Sequence, residues 1–176
     1  MRSGQPKLLP AEKLFEYAVR LLAGRAFSSG ELREKLRAKA EKKEDADLAI
    51  ARLKDLGYLN DKRFAETFAA SRVENQGFGK MRVLRDLRQK RVAPKVAQSA
   101  VEQTFEGADE TVMIENFLRR KFRRVNLAET LRDEKKLASA FRKLRMAGFS
   151  AGNSIRVLKK FAARAEELEE MEEAED

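Results

Sequence analysis

Apolar residues recur at spacings of three and four along almost the whole chain, and the recurrence breaks only at short turns. Leu14, Phe15, Ala18, Val19, Leu21 and Leu22 mark an amphipathic helix over about residues 11–25, entered behind Pro10. Ser28-Ser29-Gly30-Glu31 has the form of a capping box, with Ser28 as cap and Glu31 three residues on. The helix it opens carries Leu32 and Leu36 on one face. After a charged turn at residues 42–45, Leu48, Ile50, Leu53 and Leu56 predict a third helix over about 45–56. Gly57 supplies the left-handed residue that closes it. Tyr58 and Leu59 follow, and either Asn60 or Asp61 caps a helix over 61–75. With Asn60 as cap, Leu59 and Phe64 stand at the two positions of a hydrophobic staple. Phe64 and Phe68 share a face, and Ala65 and Ala69 beside them are small enough for another helix to approach. Arg63 and Arg72 lie outside that seam.

The same unit recurs. Leu36-Arg37, Leu87-Arg88 and Leu144-Arg145 stand 51 and then 57 residues apart. A helix precedes each pair, over 11–25, 61–75 and about 108–122. A turn and another helix follow each pair, over 45–56, about 94–105 and about 151–164. A period near 50 is that of an array of supersecondary units. The expected architecture is all-α, with nine helices in three tandem three-helix repeats forming an elongated, curved, right-handed array. The divisions are 1–10 as a disordered leader, 11–56, 57–106 and 107–164 as repeats, and 165–176 as an acidic tail. Residues 123–132 are the least regular link, where Asn126-Leu127-Ala128-Glu129 can begin a short helical turn.

Composition narrows the chemistry. The 176 residues contain no cysteine and no histidine. Disulfides and thiolate sites are therefore excluded, as are the commonest general base and the commonest metal ligand. No nucleophile–base arrangement stands out, so the reading is no catalytic residue, no metal and no cofactor. Gly77-Phe78-Gly79-Lys80 has the wrong spacing for a phosphate loop and no strand before it. No apolar run is long enough for a signal peptide or a membrane span, which points to the cytoplasm.

The net charge is +9, yet residues 166–176 contain eight acidic residues and no basic ones, so residues 1–165 carry +17. A basic body of this size suits an anionic partner. With no Trp and two Tyr, base stacking is a poor mode and phosphate contact a better one. The most cationic element is the middle helix of the second repeat, where Lys80, Arg82, Arg85, Arg88, Lys90 and Arg91 face one acid, Asp86. Met81, Leu84 and Leu87 can point to the core, and backbone N–H groups at the Gly77-Phe78-Gly79 entrance can meet a phosphate. A charge run is ordinarily a solvated helix face; the seven-to-one bias of sign over residues 80–95 makes a binding face an equal candidate. Two further runs, residues 119–124 and the group Arg142, Lys143, Arg145, Arg156, Lys159 and Lys160, read as solvated faces that Asp133 and Glu134 can pair with.

Taken together, Gly57-Tyr58-Leu59-Asn60-Asp61, Arg63-Phe64-Ala65, Phe68 and Arg72 resemble the RecX family, the bacterial regulators of the recombinase RecA. Gly77, Gly79-Lys80, Arg82, Leu84 and Leu87 continue the pattern. So do the segment from Ser28 to Leu36 and Gly148-Phe149-Ser150. The resemblance covers about residues 14–161. One departure is Lys90-Arg91 where the family usually has Lys-Gly; the acidic tail also lies outside the shared pattern. The resemblance implies a monomeric, non-enzymatic regulator, specifically an inhibitor, lodged in the groove of the RecA–DNA filament. There it would restrain recombinase and coprotease activity, with weak, salt-dependent contacts to single- and double-stranded DNA. Lys80, Arg82, Arg85, Arg88, Lys90 and Arg91 are the expected contact residues. Gly57, Tyr58, Asp61, Arg63, Phe64, Phe68 and Arg72 are the family-motif residues. The alternatives are a helix-turn-helix-like protein that binds DNA directly, with residues 81–89 as its recognition helix, and a protein-interaction scaffold whose charge serves solubility.

Overall fold

The computed structural model of the chain describes residues 8–162. Among them the regular structure is helical: α1 (Ala11–Gly24), α2 (Ser29–Arg37), α3 (Lys43–Asp55), α4 (Asp61–Ser71), α5 (Lys80–Gln89), α6 (Pro94–Thr104), α7 (Glu110–Lys121), α8 (Leu127–Thr130), α9 (Glu134–Met146) and α10 (Ala151–Lys159). The first repeat is α1–α3, the second α4–α6, and the third α7, α9 and α10, with α8 as the short turn at the link. The long fourth helix changes character at Arg72: its last five residues, Arg72–Gln76, wind as a π-helical turn that Gly77 ends at φ +67°. The acidic tail, and residues 1–7 of the expected leader, lie outside the described residues. At the leader's other end Leu9 is held: its N–H donates to the Lys39 carbonyl (2.7 Å) and its carbonyl accepts from Glu41 (3.0 Å). No described helix is long and apolar enough to cross a membrane.

The described residues divide into two compact units. One takes everything before Ala70 together with Asp86–Gln103; the other takes Ala70–Arg85 and everything after Gln103. The core of the first packs Leu14 and Ala18 of α1, Leu32 and Leu36 of α2, and Ala46, Ala49, Ile50 and Leu53 of α3 around Phe27 and Leu59. The core of the second packs Ile114, Phe117 and Leu118 of α7, Leu137, Phe141 and Leu144 of α9, and Ile155 and Leu158 of α10 around Phe149, with Phe78 against it. Phe117 and Phe149 meet edge to face at 5.6 Å. The three repeat-marking leucines, Leu36, Leu87 and Leu144, are all fully buried.

Part of the expected apolar stripe is not core. Leu48 and Leu56 of α3 are exposed at 67% and 54%, and Met81 of α5 at 61%. In α3 the buried row is Ala46, Ala49, Ile50 and Leu53, so the small alanines, not the outer leucines, face inward. In α5 it is Val83, Leu84 and Leu87. Along α4, Ala65 and Ala69 are fully buried while Phe64 and Phe68 are half-buried and stack on each other at 5.8 Å.

The helix ends explain the glycines. After α3, Gly57 (φ +74°) donates to Lys54 and Tyr58 donates to Leu53. After α9, Gly148 (φ +91°) donates to Arg145 and Phe149 to Leu144. Both pairs are Schellman ends, in which a left-handed residue turns the chain so that orphan carbonyls are satisfied. The end of α5 makes the same two bonds, from Arg91 to Arg88 and from Val92 to Leu87, with Arg91 at φ +56°. An arginine thus occupies the left-handed position where the other two ends have glycine.

Candidate anionic-partner interface

Charge divides unequally between the two units. Over the whole sequence the first unit has 19 Lys and Arg against 13 Asp and Glu, a net +6. The second has 19 against 16, a net +3; without residues 166–176 it has 19 against 8, a net +11. The positive charge of the second unit thus lies before residue 166, and the last eleven residues offset most of it.

The six cations expected to form one face along α5 are differently employed. Lys80 and Arg88 are exposed. Arg82 donates to the Met146 carbonyl (3.2 Å) and lies 4.8 Å from the Phe78 ring; Arg85 reaches the same carbonyl at 3.4 Å. Both cations therefore serve the C-terminal end of α9, where carbonyls lack intrahelical partners. Lys90 pairs with Glu31 (3.3 Å) and Arg91 with Glu34 (3.6 Å), on α2. The six do not form one free face.

Nor are the backbone N–H groups at the start of α5 open to a phosphate. Gly79 donates to the Ala147 carbonyl (2.8 Å) and Met81 to the Gly148 carbonyl (3.2 Å). A Cβ on Gly79 would lie 2.6 Å from the Gly148 oxygen, and one on Gly148 would lie 2.2 Å from the Arg82 nitrogen. These glycines let two backbones touch. The first unit has the same joint: a Cβ on Gly30 would lie 2.3 Å from the Arg91 oxygen, and the Ser28 hydroxyl donates to the Lys90 carbonyl. The start of one repeat's middle helix rests on the turn that ends the next repeat's middle helix.

The Ser28-Ser29-Gly30-Glu31 segment is thus a four-residue contact. Ser28 caps α2 by accepting from the Glu31 N–H (3.0 Å). The Ser29 N–H donates to the Asp61 carboxylate (2.7 Å), and Asp61 also lies 3.6 Å from Lys54. The Glu31 carboxylate does not return to Ser28, as a full capping box requires, but meets Arg25 (2.8 Å) and Lys90. Burial pushes Glu31 up, but its hydrogen bonds from Arg25 and Lys90 outweigh it and hold its carboxyl below the usual range. Asn60 is the cap of α4, accepting from Arg63 at 2.9 Å, which frees Asp61 for its cross-helix role. Of the other motif residues, Tyr58 is 58% exposed, Arg63 is exposed, and Arg72 begins the π-helical turn and accepts from Phe78 through its carbonyl.

The second unit carries a stronger cationic group than α5. The last turn of α7 holds Arg119, Arg120 and Lys121, with Arg123 and Arg124 following. Arg120 donates to the Asn75 carbonyl at the end of the π-helical turn (2.5 Å), while Arg119, Arg123 and Arg124 are exposed. Lys143 of α9 lies 5.3 Å from the Phe122 ring. The run is plain in the sequence, but Asp133, expected to pair with it, instead caps α9 by accepting from Lys136 (2.9 Å).

Two family models match the chain, the first three-helix domain of RecX over residues 15–53 and the second over residues 60–101. The regulatory protein RecX of Haemophilus influenzae (strain PittEE) is 34% identical over 124 residues, covering 70% of this chain and 80% of the relative. That of Streptomyces coelicolor is 29% identical over 169 residues, covering 96% and 87%. The crystal structure of RecX from Lactobacillus salivarius superposes with a TM-score of 0.62 at 18% identity, covering 86% of this chain and 96% of that one.

Proposed function

The chain belongs to the RecX family of regulatory proteins, and from that premise we propose that it inhibits the RecA recombinase by lodging in the groove of the RecA–DNA filament. The observation that carries the electrostatic part of this reading is the +11 charge of the second unit before residue 166, against +6 for the first, with −8 on residues 166–176. In the filament the second unit faces phosphates or acidic RecA surface, with Arg119, Arg123, Arg124 and Lys143 joined by Lys80. Contact of this kind is sequence-independent and falls with salt. Occupation of the groove blocks strand exchange and access of coprotease substrates. The protein acts as a cytoplasmic monomer.

Direct duplex reading is the weaker alternative. A recognition helix presents its N-terminal residues to base edges. Here the first N–H groups of α5, and the side chains of Arg82 and Arg85, are engaged by the end of α9.

The test is ATP hydrolysis by RecA on single-stranded DNA, with and without this protein, at two salt concentrations. The expected result is a loss of rate at substoichiometric protein that weakens as salt rises. An unchanged rate, alongside tight sequence-selective binding to bare duplex, would overturn the proposal. Neutralising Arg119, Arg123, Arg124 and Lys143 to Gln should abolish inhibition while circular dichroism stays unchanged.

A further inference from the structure

The chain leaves α10 beside the cationic end of α7. The starts of α10 and α7 lie together, since Glu110 accepts from Ser150 and Asn153. Further along, Lys160 meets Glu115 at 2.5 Å. α10 therefore delivers the chain to the side of α7 that carries Glu115. Arg119 lies on that same side one turn later, about 5.4 Å along the axis. Phe161 and Ala162 pack against the core cluster that Phe122 also joins. Val125, directly after Arg124, is 53% exposed.

Residues 166–176 follow from there. Their sequence combines eight carboxylates with Leu168, Met171 and Ala174 at three-residue intervals. Both halves of that pattern have a counterpart on the surface just described: cations at Arg119, Arg123, Arg124 and Lys143, and apolar area at Phe122 and Val125. The six residues from Lys160 to Glu166 span at most about 20 Å, several helical turns of reach from Glu115.

We infer that residues 166–176 dock in cis on the cationic surface at the end of α7, as an internal competitor for any polyanion that the second unit binds. The effective concentration of a segment tethered this closely is in the millimolar range. Its hold is electrostatic, so it weakens as the Debye length shrinks from about 10 Å at 0.1 M salt to about 3 Å at 1 M. The consequence for polyanions rests on the function proposed above; the docking does not.

The chain has no cysteine, so Ala174→Cys accepts a single nitroxide label. In the full-length labelled protein, amide signals of residues 119–125 and of Lys143 should broaden at about 0.1 M salt and recover at about 1 M. Absence of broadening at low salt, or broadening centred on the first unit, would overturn the inference. A second variant, with the eight carboxylates of residues 166–176 changed to amides, is compared with the parent for binding a fluorescein-labelled oligothymidylate. It should bind about tenfold tighter, within the usual range of coupling between two ligands. Equal affinity of both forms would refute masking. Failure of both forms to bind at all would count against the proposed DNA contact alone, and the broadening would still decide the docking.

Discussion

At the scale of single residues, the positions that matter most carry no side chain or carry an unexpected one. Gly79 shows no special φ, yet its Cβ would meet the Gly148 oxygen at 2.6 Å and the Phe149 ring at 2.8 Å. We expect Gly79→Ala to cost about 1–3 kcal/mol, the range for overpacking, read as a lower urea midpoint at unchanged m. Gly24→Ala, where nothing lies within 4 Å, serves as the control that should not destabilise. Arg91 is the reverse case. A left-handed conformation costs a non-glycine residue about 1–2 kcal/mol, part of which glycine returns through its freer unfolded chain. Arg91→Gly should therefore leave stability unchanged or raise it by up to about 1 kcal/mol, although it removes the half-exposed pair with Glu34. A clear loss of stability in urea unfolding would show that the Arg91 side chain holds the turn.

At the scale of elements, α10 begins without an acid in its first turn, and a neighbouring helix supplies one. Ser150 caps it through the Asn153 N–H (3.4 Å), while the Glu110 carboxylate of α7 accepts from the Ser150 N–H (2.9 Å), the Ser150 hydroxyl (2.5 Å) and the Asn153 amide (2.6 Å). Burial pushes Glu110 up, but these bonds and the charge of Arg145 outweigh it, so its carboxyl sits below the usual range. A lowered folded-state value contributes stability above the unfolded value, near 4.3, that is lost as pH falls through the folded one. We expect Glu110→Ala to cost about 1–2 kcal/mol at neutral pH, as cap losses do, with the deficit closing as the parent's carboxyl protonates in acid. A deficit independent of pH would assign the loss to packing. The sequence shows the local half of this scale well. The caps at Ser28 and Asn60, the short turn at Asn126 and the left-handed Gly57 are all present, because each depends on neighbours within a few residues. Leu48, Leu56 and Met81 misled because a spacing of three or four fits two adjacent rows of a helix, and alanines filled the inner one. Glu110, Asp61 and Gly79 act across 40, 32 and 69 residues, and no periodicity encodes such contacts.

At the scale of the molecule, three repeats of sequence make two compact units, and the middle repeat is divided between them. The sequence displayed the repetition through Leu36, Leu87 and Leu144, but not the division, which follows from which helix ends meet. It also displayed the basic runs without showing which cations were already engaged. If Arg119, Arg123, Arg124 and Lys143 each meet a phosphate, their neutralisation should lower the salt slope of binding to single-stranded DNA by about 2.8, at roughly 0.7 per contact. Changing Lys90 and Arg91, which pair with Glu31 and Glu34, should barely alter it. The joints have one more consequence, in the order in which the chain is made. The Ser28 hydroxyl leaves the ribosome well before the Lys90 carbonyl that receives it, and the Gly79 and Met81 N–H groups leave well before Ala147 and Gly148. Domains ordinarily fold during synthesis as complete units emerge. Here residues 70–85 must wait for the helix of residues 134–146, so the nascent middle repeat lacks the core partners of Phe78 and the native acceptors of two backbone donors until residue 148 has emerged. A translation stall or premature stop near residue 103 would leave a chain with two whole family domains by sequence and only one finished core, a natural client for chaperones and proteases.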